Sequence, residues 1–477
     1  MRFGIVCCVL ILIVMTASAQ SLPKRELRGV YITTTSGLDW PKSYDAAEQQ
    51  QSLREMILSM REANLNAIFF QVRARGDAYY RSAYEPWAEN LTGTLGKNPG
   101  WDPLAFVIQH AHDAGMEVHA WFNVYKIRGA GPPAASSPHH PARAFPDWVV
   151  RYEDEQWFDP GEPEVTDYIL TVLRDLAQHY DLDGICFDFI RYPGRDFPDR
   201  TTYRKFGRGL TLDEWRQENI NDFVRRAYNE LLRVNPMLKV GAAPLGNFGG
   251  ALSAQPNTKI AAGAVSDFLQ NSRSWLKNGW LDYLAPQVYW TLEFETRGPD
   301  FAYLTNSWMK DSGGRHIYVS IGAYRPEILA QLPDQIISSR KLKTSGQVFF
   351  RYENVASTDF RTSYPALAIP PSMPWKDSIP PLAPTNPQVM QKADRTVQLQ
   401  WRQPARARDG DEARFYAVYR FDSPQFNTNN PGFLLGRTSQ TNFTDTNAEA
   451  SRPLYYVVTA FDKGNNESSP LLLKTHQ

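Results

Sequence analysis

DLDGICFDFIRYP, running from Asp181 to Pro193, holds a turn at Asp183-Gly184, a short wholly apolar run Ile185-Cys186-Phe187, and an abrupt polar stop at Asp188. A continuous apolar run bounded by turn residues fits a strand buried on both faces. Side chains alternate along a strand, so Cys186 and Asp188 share one face while Ile185 and Phe187 share the other. In a parallel α/β barrel this parity turns Ile185 and Phe187 to the helical shell. Asp188 then tops the barrel interior at the C-terminal mouth, where such barrels keep their chemistry. A second reading stays open here: Asp188 caps the next element or pairs with Arg191 as a structural ion pair.

Seven further runs of the same kind flank this one: Leu27 to Thr34, Ala67 to Arg73, Glu117 to Val124, Lys239 to Leu245, Tyr283 to Trp290, Ile317 to Tyr324 and Gln347 to Glu353. With Gly184 to Ile190 they make eight, the number that closes a (β/α)8 barrel of the TIM type. Helical patterns lie between them: Ala46 to Ala63, Pro103 to Ala114, Pro163 to Tyr180, Thr211 to Val234, Val265 to Lys277, Phe301 to Lys310 and Pro326 to Leu342. Alternation of strand and helix is the signature of a parallel sheet. Three long loops, Thr92 to Trp101, Ile127 to Phe158 and Arg195 to Gly209, would wall a groove on the C-terminal face.

The barrel is expected over residues 25–365, followed by a proline-dense stretch over 366–387 that reads as a stiff linker. Beyond it, over 388–477, the period changes to two. LQWRQP, FYAVYRF and YYVVTAFDKGNNES there resemble the strands of a fibronectin type III β-sandwich. Such a module implies a spacer, or a contact with glycan or a protein partner.

At the other end, Arg2, the apolar run Ile5 to Met15 and the small residues Ala17-Ser18-Ala19 form a signal peptide over 1–19. With Cys7 and Cys8 removed, only Cys186 remains, so no internal disulfide forms and no cysteine at the cleavage point carries a lipid. A periplasmic or secreted protein is expected. No later stretch is apolar enough to span a bilayer. The net charge is formally zero over 477 residues, which gives no electrostatic footprint for nucleic acid.

Strand parity also sorts the residues that could carry chemistry. Gln71 with Arg73, then His119, Trp121 and Asn123, then Tyr283, Gln287 and Tyr289, then Tyr318, Ser320 and Tyr324 fall on inward faces. Arg351 and Glu353 share a side, with Phe350 and Tyr352 as the alternative inward pair. Unmatched polar burial costs about 1–3 kcal/mol per group, so polar residues collected at one end of the strands suggest a site. His139-His140 lacks a third ligand nearby, no glycine loop cradles phosphate, and there is no Gly-x-Ser-x-Gly elbow. No metal or cofactor is expected. Aromatic rings, amides, arginines and carboxylates are the equipment of sugar chemistry.

Seven ordered motifs carry a resemblance: LRGVYITTTSGLDWP, NAIFFQVRARGDAYYRS, HAWFNVYK, WFDPGEPEV, DGICFDFIRYP, YLAPQVYW and FFRYEN. Together they resemble the glycosyl hydrolase-like ten family, bacterial envelope proteins that include a division-site glycosidase cutting peptidoglycan strands without stem peptides. The resemblance implies a TIM-type barrel, glycan as partner and a catalytic Asp on strand four, here Asp188. Many members carry two adjacent acids at that point, whereas Phe189 follows Asp188 here. The second carboxylate must come from Glu353, Asp159 or Glu293, in that order, or the substrate's own acetamido group replaces it. The expectation is a glycoside hydrolase with Asp188 and Glu353 as catalytic pair. Gln71, Arg73, His119, Asn123, Asp159, Arg191, Tyr192, Gln287, Tyr289, Trp290 and Tyr324 are expected to bind sugar. The alternative is a glycan-binding protein on a barrel that has lost turnover.

Overall fold

The structure is a computed structural model that describes residues 22–129, 137–248, 267–293, 300–392, 396–448 and 454–474. The expected signal peptide and the start of the helix expected from Val265 lie outside these residues.

Eight strands close a barrel: β1 (Leu27–Ile32), β2 (Ala67–Arg73), β3 (Glu117–Asn123), β4 (Gly184–Asp188), β5 (Lys239–Ala242), β6 (Tyr283–Leu284), β7 (His316–Ile321) and β8 (Gly346–Phe349). Each pairs in parallel with the next, and β8 returns to β1 with Leu27 opposite Gly346. Ile185 and Phe187 pack in the shell between strands and helices, and Cys186 lies in the barrel interior, the parity expected from the sequence. Below the mouth the interior is filled by large rings set against missing side chains. A Cβ on Gly184 would stand 2.3 Å from His119 Nδ1, and one on Gly241 2.3 Å from the Tyr283 ring. These glycines are what lets His119 and Tyr283 reach the barrel axis.

The helices form where period and caps place them. Asp45 caps Ala46–Glu62, Asp102 caps Pro103–Asp113, and Thr211 with Glu214 makes a capping box ahead of Leu212–Val234. The helix expected from Pro326 to Leu342 is instead two, Pro326–Ala330 and Leu332–Lys341, because Pro333 has no N–H to continue the ladder. The last strand is shorter than expected. It stops at Phe349, and a single helical turn, Tyr352–Val355, carries Glu353 away from the barrel axis.

C-terminal to the barrel, seven strands form a sheet of three (Thr385–Gln391, Val397–Arg402, Asn442–Asp445) and a sheet of four (Leu434–Thr438, Phe415–Phe421, Tyr455–Phe461, Leu471–Lys474). Trp401, Tyr416, Val418, Tyr456 and Val458 fill the space between them.

The proline-rich stretch is not a free spacer. Ile369 is buried against Phe415 and Phe461, and Met373 joins the barrel-interior cluster. Trp375 and Lys376 both donate to the Asp282 carboxylate, at 2.9 and 2.8 Å. The small module is thereby seated under the barrel. There, buried Arg437 donates to Gly115 C=O and Asn465, and Asn465 donates to Glu117, which also pairs with Lys239 at 2.6 Å. Burial and then the Glu117 charge act on Arg437 in opposite senses, and burial prevails, bringing it down to about 10.

Candidate active site

At the C-terminal mouth a cavity of about 230 Å3 opens above Trp121 and Tyr31. Asp188 is the only carboxylate among the described residues that line it. Its position follows from register: Asn123 of β3 stands opposite it, and its carbonyl accepts from Val124 N–H at 2.8 Å. The residue is 6% exposed. Oδ1 accepts from Phe189 N–H at 2.7 Å and Gln287 Nε2 at 3.3 Å, and Oδ2 accepts from Trp121 Nε1 at 3.2 Å. Arg191 Nη1 lies 3.8 Å from Oδ1. Burial disfavours the charged form and prevails over Arg191 and the three donors, so the Asp188 carboxyl titrates above its usual range. The ion pair considered from sequence therefore exists, and the acid it involves faces an open cavity.

Aromatic rings shape the rest of the lining. Tyr289 stacks on Phe350 with centroids 5.7 Å apart, and Tyr31 meets Trp121 edge-on at 5.1 Å. Burial, and then the neighbouring Asp188 charge, push the Tyr289 phenol well above its ordinary range. Phe189, with φ of 52°, turns in the left-handed region and lines the wall. Arg75 and Lys126 add cationic groups; Arg75 donates to Ser36 at 2.8 Å and Lys126 pairs with Glu155. Three buried polar atoms of lining residues, Thr33 Oγ1, Asn123 Oδ1 and Arg191 Nη1, have no hydrogen-bond partner among the described residues. Groups of this kind cost about 1–3 kcal/mol when unmatched, which suits them to a polar ligand.

Gln71, Asn123, Arg191, Gln287 and Tyr289 thus meet around Asp188. Gln71 lines the cavity, and its Oε1 accepts from the backbone N–H groups of Thr34 and Thr35. Tyr324, 47% exposed, stands at the rim with its ring 5.9 Å from Phe350.

Other expected site residues are elsewhere. Arg73 was expected to point inward with Gln71, but the β2–β3 register shifts between them, Gln71 facing Trp121 and Arg73 facing Phe122. This bulge swings Arg73 into the shell, where it is bidentate to Glu85 and stacks over Phe122. His119 lies beneath the cavity, bonded to Tyr283 and Glu117 and stacked on Phe69. Tyr192 is buried in the shell and bonds Asn219, and Trp290 packs partly buried against the same shell. Asp159 accepts from Thr202 at 2.6 Å and from Gly161 N–H at 2.9 Å, away from the lining.

Glu353, the expected second catalytic carboxylate, is 53% exposed and pairs with Arg351 at 2.7 Å. Glu293 is exposed too. His140 uses both ring nitrogens, Nδ1 on Ala142 N–H and Nε2 on Arg75 C=O, which leaves neither for a metal.

Sequence reasoning left Tyr31, Arg75, Lys126 and Phe350 out of the site. Tyr31 and Phe350 were within reach of the parity argument. Arg75 and Lys126 lie just past their strands, where the period of two no longer applies.

The profile of the family described as Glycosyl hydrolase-like 10 matches residues 26–331. Glycosyl hydrolase YngK of Bacillus subtilis (strain 168) is 32% identical over 491 residues, covering 95% of this chain and 93% of that protein. Glycosyl hydrolase DigH of Escherichia coli (strain K12) is 30% identical over 387 residues, 71% of this chain and 86% of that protein. Among solved structures, the PgaB (BpsB) glycoside hydrolase domain from Bordetella bronchiseptica aligns with a TM-score of 0.48 at 16% identity, over 72% of this chain and 96% of that one. The profile match over the barrel, and curated relatives at 30% identity or more across most of their own length, establish that this chain belongs to the glycosyl hydrolase-like 10 family.

Proposed function

We propose that this protein is an exported glycoside hydrolase that cuts peptidoglycan glycan strands, with Asp188 as its acid/base. The observation that carries the reading is the lone buried carboxylate at the tip of β4, opening on a cavity walled by Trp121, Tyr289, Phe350 and Phe189. Flat rings stack on the apolar faces of pyranoses, while Arg191, Asn123 and the Gln71 amide are placed to bond hydroxyl or acetamido groups. Arg75, Lys126 and Arg191 outnumber the single acid, which favours an anionic glycan. The lactyl carboxylate of a muramic residue without its stem peptide has that charge. The family membership, and the leader expected from the sequence over 1–19, support an envelope location.

A second protein carboxylate is absent from the described lining, so the nucleophile is assigned to the substrate's 2-acetamido carbonyl oxygen, a recognised exception to the two-carboxylate scheme. Protonated Asp188 gives its proton to the glycosidic oxygen as that bond to the anomeric carbon breaks. The acetamido oxygen attacks the same carbon and closes a cyclic oxazolinium. Asp188, now a carboxylate, takes a proton from the water that reopens the ring. The raised proton affinity of Asp188 suits it to the first step. Gln71, Asn123, Arg191, Gln287, Tyr289 and Tyr324 remain proposed sugar contacts, and the C-terminal module is proposed to be of fibronectin III type.

The same lack of a second acid favours one competing reading, a glycan-binding protein without turnover. Purified protein incubated with stem-peptide-free glycan strands separates the two. Release of shorter oligosaccharides with new reducing ends supports the hydrolase; binding with no shortening supports the lectin.

A further inference from the structure

At the tip of β3, Asn123 stands one strand away from the proposed acid, its Cα opposite that of Asp188 across the parallel pair. Both residues line the cavity, and Asn123 is 3% exposed. Its amide is held at one end, where Nδ2 donates to the Ala74 carbonyl at 2.9 Å. A carbonyl only accepts, so this bond fixes which way the amide is turned and leaves Oδ1 as the other end. Oδ1 has no hydrogen-bond partner among the described residues. The backbone beneath is fixed as well, because the Arg73 guanidinium donates to the carbonyls of Asn123 and Val124. A firmly mounted, buried acceptor with nothing to accept from is a cost to the folded protein that a ligand's donor would remove.

The rest of the polar lining is of another kind. Arg75, Lys126 and Arg191 carry donors only. Gln71 Oε1 already accepts from Thr34 and Thr35 N–H, and both Asp188 oxygens already accept from Phe189, Gln287 and Trp121. Of the buried unpartnered atoms around the cavity, Thr33 Oγ1 and Arg191 Nη1 are able to donate to sugar oxygens, whereas Asn123 Oδ1 only accepts. The donor it lacks belongs to the substrate, and its placement suits an amide beside the reacting carbon. Neighbouring strands stand about 4.8 Å apart. In an amino sugar the carbon that bears nitrogen is bonded directly to the anomeric carbon, so a glycosidic oxygen at Asp188 brings that nitrogen beside β4. On the other side of β4, just past β5, the lining residue is Ala243, which has no polar side-chain atom.

We propose that Asn123 Oδ1 accepts the N–H of the substrate's 2-acetamido group, which aims that group's carbonyl oxygen at the anomeric carbon and makes the site selective for N-acetylated sugar. The inference rests on the substrate-assisted route proposed above. An amide is planar, with N–H and C=O on opposite sides, so holding the N–H sets where the oxygen lies. As that oxygen bonds to the anomeric carbon and the glycosidic bond breaks, positive charge spreads onto the acetamido nitrogen and its bond to Oδ1 strengthens. The proton stays on nitrogen throughout, and the Asn123 amide ends the cycle unchanged. A contact that is tighter in the transition state than in the bound substrate shows its loss mainly in kcat.

The test compares Asn123→Leu with Asn123→Asp in the full-length protein, on stem-peptide-free glycan strands. Both substitutions remove the NH2 that holds Ala74, but only Asp keeps an acceptor at the same place. Asn123→Leu should lower kcat by about tenfold or more with KM within about threefold, while Asn123→Asp should keep kcat within about threefold of the parent. Equal losses in the two variants would mean that the residue only holds Ala74, and parental kcat in Asn123→Leu would mean that the acceptor is idle; either overturns the proposal. Should Asn123→Leu fail to fold, a second measurement decides. A 15N-labelled disaccharide of N-acetylglucosamine and N-acetylmuramic acid, bound to the Asp188→Asn protein, should show one acetamido proton moved downfield and slowed in exchange with water. Bound sugar whose acetamido protons stay unshifted and exchange freely would overturn the proposal. If the parent releases no reducing ends, the hydrolase reading fails by itself, and the NMR signal still decides whether the acetamido N–H is received.

Discussion

Replacing Asp188 by Asn removes the proposed proton donor while altering the site little. Asn keeps one oxygen for Phe189 N–H and Gln287, and turns its NH2 against Trp121 Nε1, so one hydrogen bond of about 1 kcal/mol is lost. Against this, the variant no longer ionises a buried group. Because Asp188 titrates higher folded than unfolded, its favourable contribution is complete below the ordinary Asp value of about 3.9. It is lost as pH rises through the folded value. At pH 7 the charged form is therefore a burden, which Asn removes at the same time as the acceptor. Asn also leaves buried Arg191 without the carboxylate that stands 3.8 Å from it, so the two effects oppose and the melting temperature should stay near the parent's. Activity should not: a positioned general acid contributes roughly 10^2–10^4-fold, about 3–5 kcal/mol at 1.36 kcal/mol per decade. The assay follows reducing ends released from stem-peptide-free glycan strands by the parent and the variant, with binding measured alongside. In the parent, kcat/KM should fall on the alkaline side with a midpoint above the usual Asp range, as the acid loses its proton. A variant retaining more than about a tenth of parental kcat/KM, or one that unfolds, would refute the assignment.

Three further outcomes follow from residues the structure moves out of the site. Asp159 is held up to about 6 by burial, so its favourable contribution is complete below about pH 4 and gone above pH 6. Asp159→Asn can keep Gly161 N–H and donate to the Thr202 hydroxyl, and should be more stable than the parent at pH 7 by up to ~2 kcal/mol; urea titrations at pH 7 and pH 4 should show that gap closing at the lower pH. Glu85→Gln leaves the Arg73 guanidinium buried without its bidentate partner, and should lower unfolding free energy in urea by about 3–5 kcal/mol. Glu353→Gln, at an exposed position outside the cavity, should leave kcat/KM within about twofold of the parent in the reducing-end assay.

Much of the barrel was legible because its strands are buried on both faces and its helices begin at Asp45, Asp102 and Thr211, where local chemistry alone suffices. The inward parity of β4, which places Cys186 and Asp188 together, came from the same simple alternation. Alternation failed where the backbone departs from a regular strand. A bulge after Gln71 reversed Arg73, and the turn after Phe349 carried Glu353 outward. Depth was also hidden from it. His119 shares a face with Trp121 and Asn123, yet two residues along a tilted strand separate the packed floor from the cavity. Contacts between segments far apart in sequence leave no periodic trace, and the docking of Met373 and Trp375 under the barrel belongs to that class.

The stereochemistry of the first product bears most directly on the assignment of a single protein carboxylate working with the substrate's own acetamido oxygen. Proton NMR of the anomeric signals, taken before mutarotation, reads it during cleavage of a β-linked N-acetylated glycan. Two successive displacements at the anomeric carbon predict that the new reducing end appears first as the β anomer. An α anomer appearing first would mean direct attack by water, which calls for a second carboxylate about 6.5–9.5 Å from Asp188 and contradicts the account.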